Sequence, residues 1–287
     1  MRILITGGNG NIAKMINTNL GCHTGYGYDI ICPSRVELDV LDLNQVTEYL
    51  TKHKFDILVH AAITGGRRTK TETGEVTHNN LLMLENLLHF HDHFQMIINF
   101  DSAAIYDRKT DIFNRKEDDI FTVPSDYYGF SKYVIYQRSK QFNHFYNLRI
   151  FNIFHPKEEP DRFIKSCFLA KQKNTSITIF QDKYFDFVYE TDFITIIKHY
   201  FDNIENQCIL KKTINICYEE KCKLSDIALL ILENPDNIVI VNNDLTHNYS
   251  GDNAILKQMG ISNRLIGIKN SLLLYSNEMS SNEMSSN

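Results

Sequence analysis

Short runs of aliphatic and β-branched residues alternate with longer segments of mixed polarity through the first half of the chain. The runs are Arg2–Thr6, Tyr28–Cys32, Asp56–His60, Gln95–Phe100 and Asn147–Phe151, and most are apolar at successive positions, as in ILIT, DILVH and MIINF. A strand that is apolar at every position has both faces covered, the condition of a parallel sheet packed between helices. The segments between them, Asn11–Leu20, Leu43–His53, Val76–His91 and Asp126–Phe145, read as helices. Strand, helix, strand, repeated, predicts an α/β fold with a doubly wound parallel sheet of the Rossmann type.

Past Phe151 the alternation loosens at HPKEEPDRF. Phe163–Lys173, Thr191–Phe201, Leu224–Glu233 and Asn270–Tyr275 still read as helices and Thr213–Cys217 as a strand. The expected organisation is a nucleotide-binding domain over residues 1–152, to which 187–216 returns, and a smaller interleaved substrate domain over 153–186 and 217–275. The stretch Ser276–Ser280 is repeated as Ser281–Ser285, and this polar, low-complexity end reads as a disordered tail over 276–287.

The chain has 287 residues, enough for one large domain or one domain and a smaller companion. With 30 Lys+Arg against 35 Asp+Glu the net charge is −5, which argues against a nucleic-acid partner, whose phosphates need clustered cations. No apolar run reaches the roughly 18–20 residues of a membrane helix, and MRILIT lacks the layout of a signal peptide. A soluble cytoplasmic protein is expected. The six cysteines show no C-x-x-C or metal-ligand spacing and read as buried free thiols. The alternating His89, His91 and His93 read as a surface cluster, since helical metal ligands want i, i+4 spacing.

The first chemical signal is T-G-G-N-G-N-I-A after the first strand, with Gly7, Gly10 and Ala13 in G-x-x-G-x-x-A spacing ahead of a helix. Glycines permit a tight turn and close backbone approach. The helix opening at Asn11 and Ile12 offers N–H groups and partial positive charge to a pyrophosphate. After the second strand come Cys32, Pro33, Ser34 and Arg35, with no acid at the tip. An acid there would bind the ribose 2′-hydroxyl of NAD, whereas Arg suits the 2′-phosphate of NADP. NADP(H) is therefore favoured over NAD, with Arg35, and Ser34 beside it, on the 2′-phosphate; a solvated loop cation is the other reading of Arg35.

Tyr128 and Lys132 form Y-x-x-x-K, one turn apart on a helix face, and Ser102 sits just past the fourth strand, at the ligand-binding edge of such sheets. A nearby ammonium stabilises phenolate, so Lys132 would tune Tyr128 as acid and base. Ser102 would bond the same substrate oxygen and hold it within proton-transfer reach.

Together with A-A at Ala61–Ala62, Asn80 in N-L-L-M-L-E-N-L-L, S-A-A-I-Y, Y-Y-G-F-S-K, L-R-I-F-N-I-F and F-D-F-V-Y-E-T-D, these motifs make the chain resemble the extended short-chain dehydrogenase/reductase family as far as about Tyr275. The resemblance implies that Asp39 and Val40 lie at the adenine, that Ala61, Ala62, Ile63 and Asn80 line the cofactor channel, and that Asn152 faces a sugar nucleotide. It implies a homodimer as well, through the helices of Val76–His91 and Asp126–Phe145; packing of their apolar faces inside the monomer is the other reading.

Within the family, 4,6-dehydratases carry Asp-Glu directly after the Ser or Thr, where this chain has Ala103–Ala104. The stretch S-R-V-E-L-D-V-L-D looks like that of dTDP-4-dehydrorhamnose reductase and GDP-L-fucose synthase, and A-A-I-T-G-G resembles the latter. The Cys and His used for epimerisation are replaced at Ala104 and near Lys157, with His155 two positions away. The implied activity is NADPH-dependent reduction of the C4 ketone of a nucleoside-diphosphate 4-keto-6-deoxy sugar. A nucleotide-sugar epimerase and a non-catalytic NAD(P)-binding regulator are the alternatives. Phe185 stands where the family often has a phosphate-binding Arg, which leaves Arg162 or Lys165 for the diphosphate. Arg67 and Arg68 read either as a phosphate-binding loop or as a solvated pair.

Overall fold

The structure is a computed structural model that describes residues 1–66, 71–242, 244 and 246–284. In chain order the elements are β1 (Arg2–Ile5), α1 (Asn11–Leu20), β2 (Asp29–Ile31), α2 (Leu43–Lys52), β3 (Ile57–His60), α3 (Gly74–Leu88), β4 (Met96–Ser102), β5 (Ile112–Arg115), α4 (Tyr127–Ser139) and β6 (Phe145–Ile150). Then follow β7 (Ile153–Phe154), α5 (Phe163–Lys173), β8 (Ile177–Gln181), β9 (Val188–Tyr189), α6 (Glu190–Asp202), β10 (Thr213–Ile216), α7 (Leu224–Leu232), β11 (Ile238–Asn242), β12 (Tyr249–Gly251), α8 (Ala254–Gln258) and α9 (Gly267–Met284). Two compact units divide them: Met1–Asp107, Asp118–Ile150 and Ile196–Ile214 form the first, and Arg108–Glu117, Phe151–Thr195 and Asn215–Asn287 the second.

The first unit is built on a six-stranded sheet of order β10-β6-β4-β3-β1-β2, whose recorded ladders are parallel. Ile3, Leu4 and Ile5 of β1 and Ile57, Leu58 and Val59 of β3 are fully buried, so both faces of the sheet are covered, as the continuous apolar runs require. Leu4, Leu58, Ile97 and Phe145 point to one face and pack with Val46 and Leu50 of α2, Met83, Leu84, Leu87 and Leu88 of α3, and Ile135 of α4. On the other face Tyr146 meets Tyr200 of α6, ring centroids 5.6 Å apart, and Tyr28 meets Phe201 at 5.4 Å. The expected doubly wound α/β fold is the one observed.

Element ends follow local chemistry. Asp42 caps α2 by accepting the N–H groups of Asn44 and Gln45, and Asp126 caps α4 by accepting that of Gly129. The helix expected over Asp126–Phe145 stops at Ser139, because Phe145 and Tyr146 join the sheet, where they pair with Ile97 and Ile98.

The second unit pairs β8 with β11, β5 with β12, and β7 with β9, all in parallel ladders that the sequence pattern did not reveal. Its last helix corrects the reading of a disordered tail. Ile268, Leu272, Tyr275 and Met279 are all buried at helical spacing, so the apolar stripe of α9 runs into the first copy of the repeat. Glu278 adds a bond from the Tyr189 hydroxyl at 2.7 Å. Residues 285–287 of that reading lie outside the described residues. Cys167 and Cys217 are buried as expected, whereas Cys22 and Cys208 are exposed. Among the described residues no helix is long and apolar enough to cross a membrane, and no group of His, Cys, Asp or Glu side chains could hold a metal ion.

Candidate active site

The strand order turns back between β1 and β3, and open α/β sheets bind ligands in the crevice at the carboxyl ends of such strands. Backbone packing makes that crevice tight. Gly7 has φ +71°, and a β carbon there would come within 2.9 Å of Ala62 Cα. A β carbon on Gly8 would meet the Cys32 carbonyl oxygen at 2.3 Å. Gly10 caps α1 in an extended conformation with no side-chain bond, and no acid occupies the first turn. The helix opening at Asn11 and Ile12 thus keeps its N–H groups for an anion, and the residues present fit the pyrophosphate of a dinucleotide.

Thr6, which the sequence reading passed over, ties the two strand ends together. Its hydroxyl oxygen accepts the N–H groups of Ala61 and Ala62, each at 3.2 Å, and lies 3.0 Å from His60 Nδ1. The hydroxyl has one proton to give, so it donates to Nδ1, which makes His60 the neutral tautomer protonated at Nε2. Burial, with the charge of Lys132 adding to it, lowers His60 to about 3.

The folded chain therefore binds fewer protons here than the unfolded chain below the unperturbed value of about 6.5. The stability contributed is full above that pH and is lost as pH falls from about 6.5 toward 3. Thermal melts are expected to show Tm declining across that window, and His60→Asn should flatten the slope; equal slopes would contradict the assignment.

Asn80, expected along the cofactor channel, is fully buried and its amide is engaged inside the protein. Its Oδ1 accepts from Thr64 N–H at 2.8 Å and Thr64 Oγ1 at 3.0 Å, while Nδ2 donates to Thr64 O and to Ser131 Oγ, each at 3.0 Å. It anchors the segment after β3 to α4. Val40 is buried in the core beside α2 and α3, and its carbonyl accepts from Asn86 Nδ2 at 3.0 Å. Asp39 accepts from Arg35 Nε at 2.9 Å, and the Arg35 side chain is 73% exposed. Ala61 and Ala62 are half-buried at the crevice, Ile63 exposed.

Lys132 is buried on α4, and its ammonium donates to the Phe100 carbonyl at 2.6 Å. It lies 5.8 Å from the centroid of the Tyr128 ring, as i, i+4 spacing on one helix face requires. Burial lowers its pKa to about 8, against the opposing pull of the Asp101 carboxylate. Ser102 closes β4, and its hydroxyl accepts the N–H of Ala104 at 3.2 Å. Glu72 was not anticipated from sequence: it takes the Gly66 N–H at 2.6 Å and the Tyr128 N–H at 3.3 Å. A β carbon on Gly66 would touch the Tyr128 ring at 3.0 Å, so only glycine leaves room there. Arg67 and Arg68 lie outside the described residues.

The second unit brings Asn152 and Arg162 together, Arg162 Nη2 donating to Asn152 Oδ1 at 2.7 Å. Glu158, unforeseen, lies 3.8 Å from Arg162 Nε, and burial pushes its carboxyl up to about 7. Lys165 donates to Pro156 O at 2.7 Å. Phe185 packs at a tilt against Phe187 and Tyr249, centroids 4.8 and 5.1 Å apart, an aromatic cluster where the resemblance implied an arginine.

Comparison with known proteins agrees with this frame. A GDP-L-colitose synthase from Yersinia pseudotuberculosis is 33% identical over 116 residues, 39% of this chain and 36% of that protein. The chain thus matches about a third of that relative's length. Among solved structures, a GDP-L-fucose synthetase from Naegleria fowleri bound to NADP superposes with TM-score 0.79 at 16% identity, covering 99% of this chain and 94% of the other. A dTDP-4-dehydrorhamnose reductase from Clostridium acetobutylicum gives 0.79 at 17% identity, covering 98% and 100%. At such identities the superpositions establish the fold, the Rossmann-type arrangement described above. The model of the NAD dependent epimerase/dehydratase family matches residues 3–217, most of the chain including the glycine turn, Ser102, Tyr128 and Lys132, and the protein belongs to that family.

Proposed function

We propose that the protein is an NADPH-dependent reductase acting on the C4 ketone of a nucleoside-diphosphate 4-keto-6-deoxy sugar, hexose or heptose, GDP being the favoured nucleotide. The observation that carries this is the set Ser102, Tyr128 and Lys132 at the carboxyl end of β4 and the facing turn of α4, followed by Ala103–Ala104. Two alanines after the serine supply neither the acid and base of a dehydration nor the thiol of an epimerisation. The relative named for GDP-L-colitose and the neighbour named for GDP-L-fucose, solved with NADP, support the same reading.

In this reading Gly7, Gly10, Asn11 and Ile12 hold the pyrophosphate, Arg35 and Ser34 the 2′-phosphate, and Ala61, Ala62 and Ile63 the wall of the crevice. NADPH, when bound, supplies the hydride. Ser102 bonds the ketone oxygen, and Tyr128 gives its proton to that oxygen as negative charge develops there. Lys132, charged and held at Phe100 O, favours the phenolate that remains. Asn152 faces the sugar nucleotide and Arg162 its diphosphate. The enzyme would work in the cytoplasm as a homodimer and provide a deoxy sugar for surface glycans.

The test offers a purified GDP-4-keto-6-deoxy sugar with NADPH and with NADH, follows absorbance loss and identifies the product by NMR. NADPH oxidation with simple reduction at C4 is expected. Deuterium entering from solvent at C3 or C5 would mean epimerisation, and no oxidation with any such sugar would defeat the reading. Arg35→Ala should erode the preference for NADPH; an unchanged ratio of the two KM values would remove Arg35 from the 2′-phosphate.

A further inference from the structure

β4 and β6 run side by side in parallel register, with Asp101 opposite Arg149 and Ser102 opposite Ile150. Both charged side chains are sealed from solvent. Arg149 Nε donates to Asp101 Oδ2 at 2.7 Å and its Nη1 to the Tyr106 hydroxyl at 2.5 Å. Asp101 and Tyr106 bracket the turn that carries Ser102, so one guanidinium grips that turn at both ends. The other carboxylate oxygen of Asp101 accepts the Ser102 N–H at 2.7 Å. One residue earlier, Phe100 gives its carbonyl to Lys132. The guanidinium also lies over the rings of Tyr106 and Tyr136, 4.7 and 5.3 Å from their centroids, and Tyr136 is one turn beyond Lys132 on α4.

Stability alone does not account for such a pair. Desolvating two charges is costly, and well-packed apolar residues of similar volume often serve a fold as well or better. This pair is instead joined by hydrogen bonds to the turn of the serine, and by charge to the lysine.

We infer that Arg149 and Asp101 are positioning residues for the site: the guanidinium sets the Ser102 turn from both ends, and Asp101 places its carboxylate one residue past the carbonyl that holds the Lys132 ammonium. The inference rests on the reading of Ser102, Tyr128 and Lys132 given under the proposed function, and it adds two residues that touch neither substrate nor cofactor. The groups facing Lys132 are Tyr128 on its own helix, neutral His60 from β3, Asp101 from β4 and, behind Asp101, Arg149 from β6. The neighbouring helix α3 brings the uncharged Asn80 to Ser131. Asp101 is the negative charge in this set, and burial already works against the ammonium. Neutralising Asp101 would leave the buried guanidinium uncompensated beside Lys132.

The experiment compares wild type with Asp101→Asn, Arg149→Met, the double variant Asp101→Asn/Arg149→Met, and Tyr128→Phe. Steady-state rates are taken across pH, NADPH affinity by fluorescence titration, and Tm by melting. Asp101→Asn should lower kcat roughly 10- to 100-fold, the scale of a displaced reacting group, with NADPH affinity unchanged. Its alkaline limb, where the Tyr128–Lys132 pair loses a proton, should move down by about half a pH unit or more. The double variant, with both charges gone, should return that limb toward wild type while kcat stays low, because the turn is no longer gripped. If a single variant does not fold, the double variant carries the test alone: wild-type kcat there overturns the inference. A fall in kcat and Tm for Asp101→Asn with the limb unmoved would make the pair a packing element and overturn it too. A fully active Tyr128→Phe enzyme would instead overturn the functional reading beneath it.

Discussion

Tyr128→Phe is expected to lower kcat by roughly 10²- to 10⁴-fold, the range for loss of a positioned general acid, while NADPH binding and Tm stay near wild type. The reason is local. The phenol is half-buried on the first turn of α4, its backbone N–H is held by Glu72, and its ring lies against Gly66. Phenylalanine keeps the ring, the helix and those contacts, and removes the one proton that the proposed reduction takes from this residue. Lys132 is not expected to replace it: its ammonium is anchored at Phe100 O, 5.8 Å from the centroid of the Tyr128 ring. Loss of kcat and kcat/KM in equal proportion would mark an interaction made in the transition state. A rise in KM with kcat intact would reassign Tyr128 to binding.

Among the glycines of the first unit, Gly8 leaves least room for a β carbon, and Gly8→Ala should be the most damaging of their alanine substitutions. The added carbon would sit 2.3 Å from the Cys32 carbonyl oxygen and 2.6 Å from that of Pro33, both backbone atoms at the end of β2 that cannot rotate away. The turn must lift from β2, and it takes with it the N–H groups at the start of α1. Overpacking of this kind costs about 1–3 kcal/mol, and each kcal/mol lowers Tm by about 2–4 °C in a chain of this size. NADPH affinity should fall by more than about tenfold, a loss of roughly 1.4 kcal/mol or more, since the cradle itself has moved. Gly25→Ala is the control: it has φ +81° but nothing within 4 Å of a β carbon. Its left-handed backbone costs about 1–2 kcal/mol and should leave NADPH affinity alone. Equal effects of the two on affinity would show that the crevice at Gly8 is not where the dinucleotide binds.

Much of the first unit was legible because its signals are local. Continuous apolar runs mark buried parallel strands, glycine spacing marks a turn, and Y-x-x-x-K needs only the period of a helix. The predicted helix Asn11–Leu20 matches α1 residue for residue, and the predicted strand Asp56–His60 exceeds β3 by one residue. The second unit was less legible because its strands pair across long separations: β8 with β11 places Ile177 beside Ile238, and β5 with β12 places Ile112 beside Tyr249. No window of sequence contains both partners. The tail was misread for a related reason. Its letters are polar, and only the fold shows that Met279 continues a buried stripe begun at Ile268.

The class of sheet, the glycine turn, and the order and spacing of Ser102, Tyr128 and Lys132 are legible in the chain alone. Those follow from backbone sterics and from spacing along one element. Which polar residues are engaged within the protein emerges only on folding: Asn80 on Thr64 and Ser131, Asp39 on Arg35, and Thr6 across to His60 and Ala62. The same holds for Asp101 and Arg149, a sealed pair beneath the serine turn. A hydrogen bond or a buried charge is set by the partner across the sheet, and which residue stands there is a matter of register rather than of neighbours in the chain.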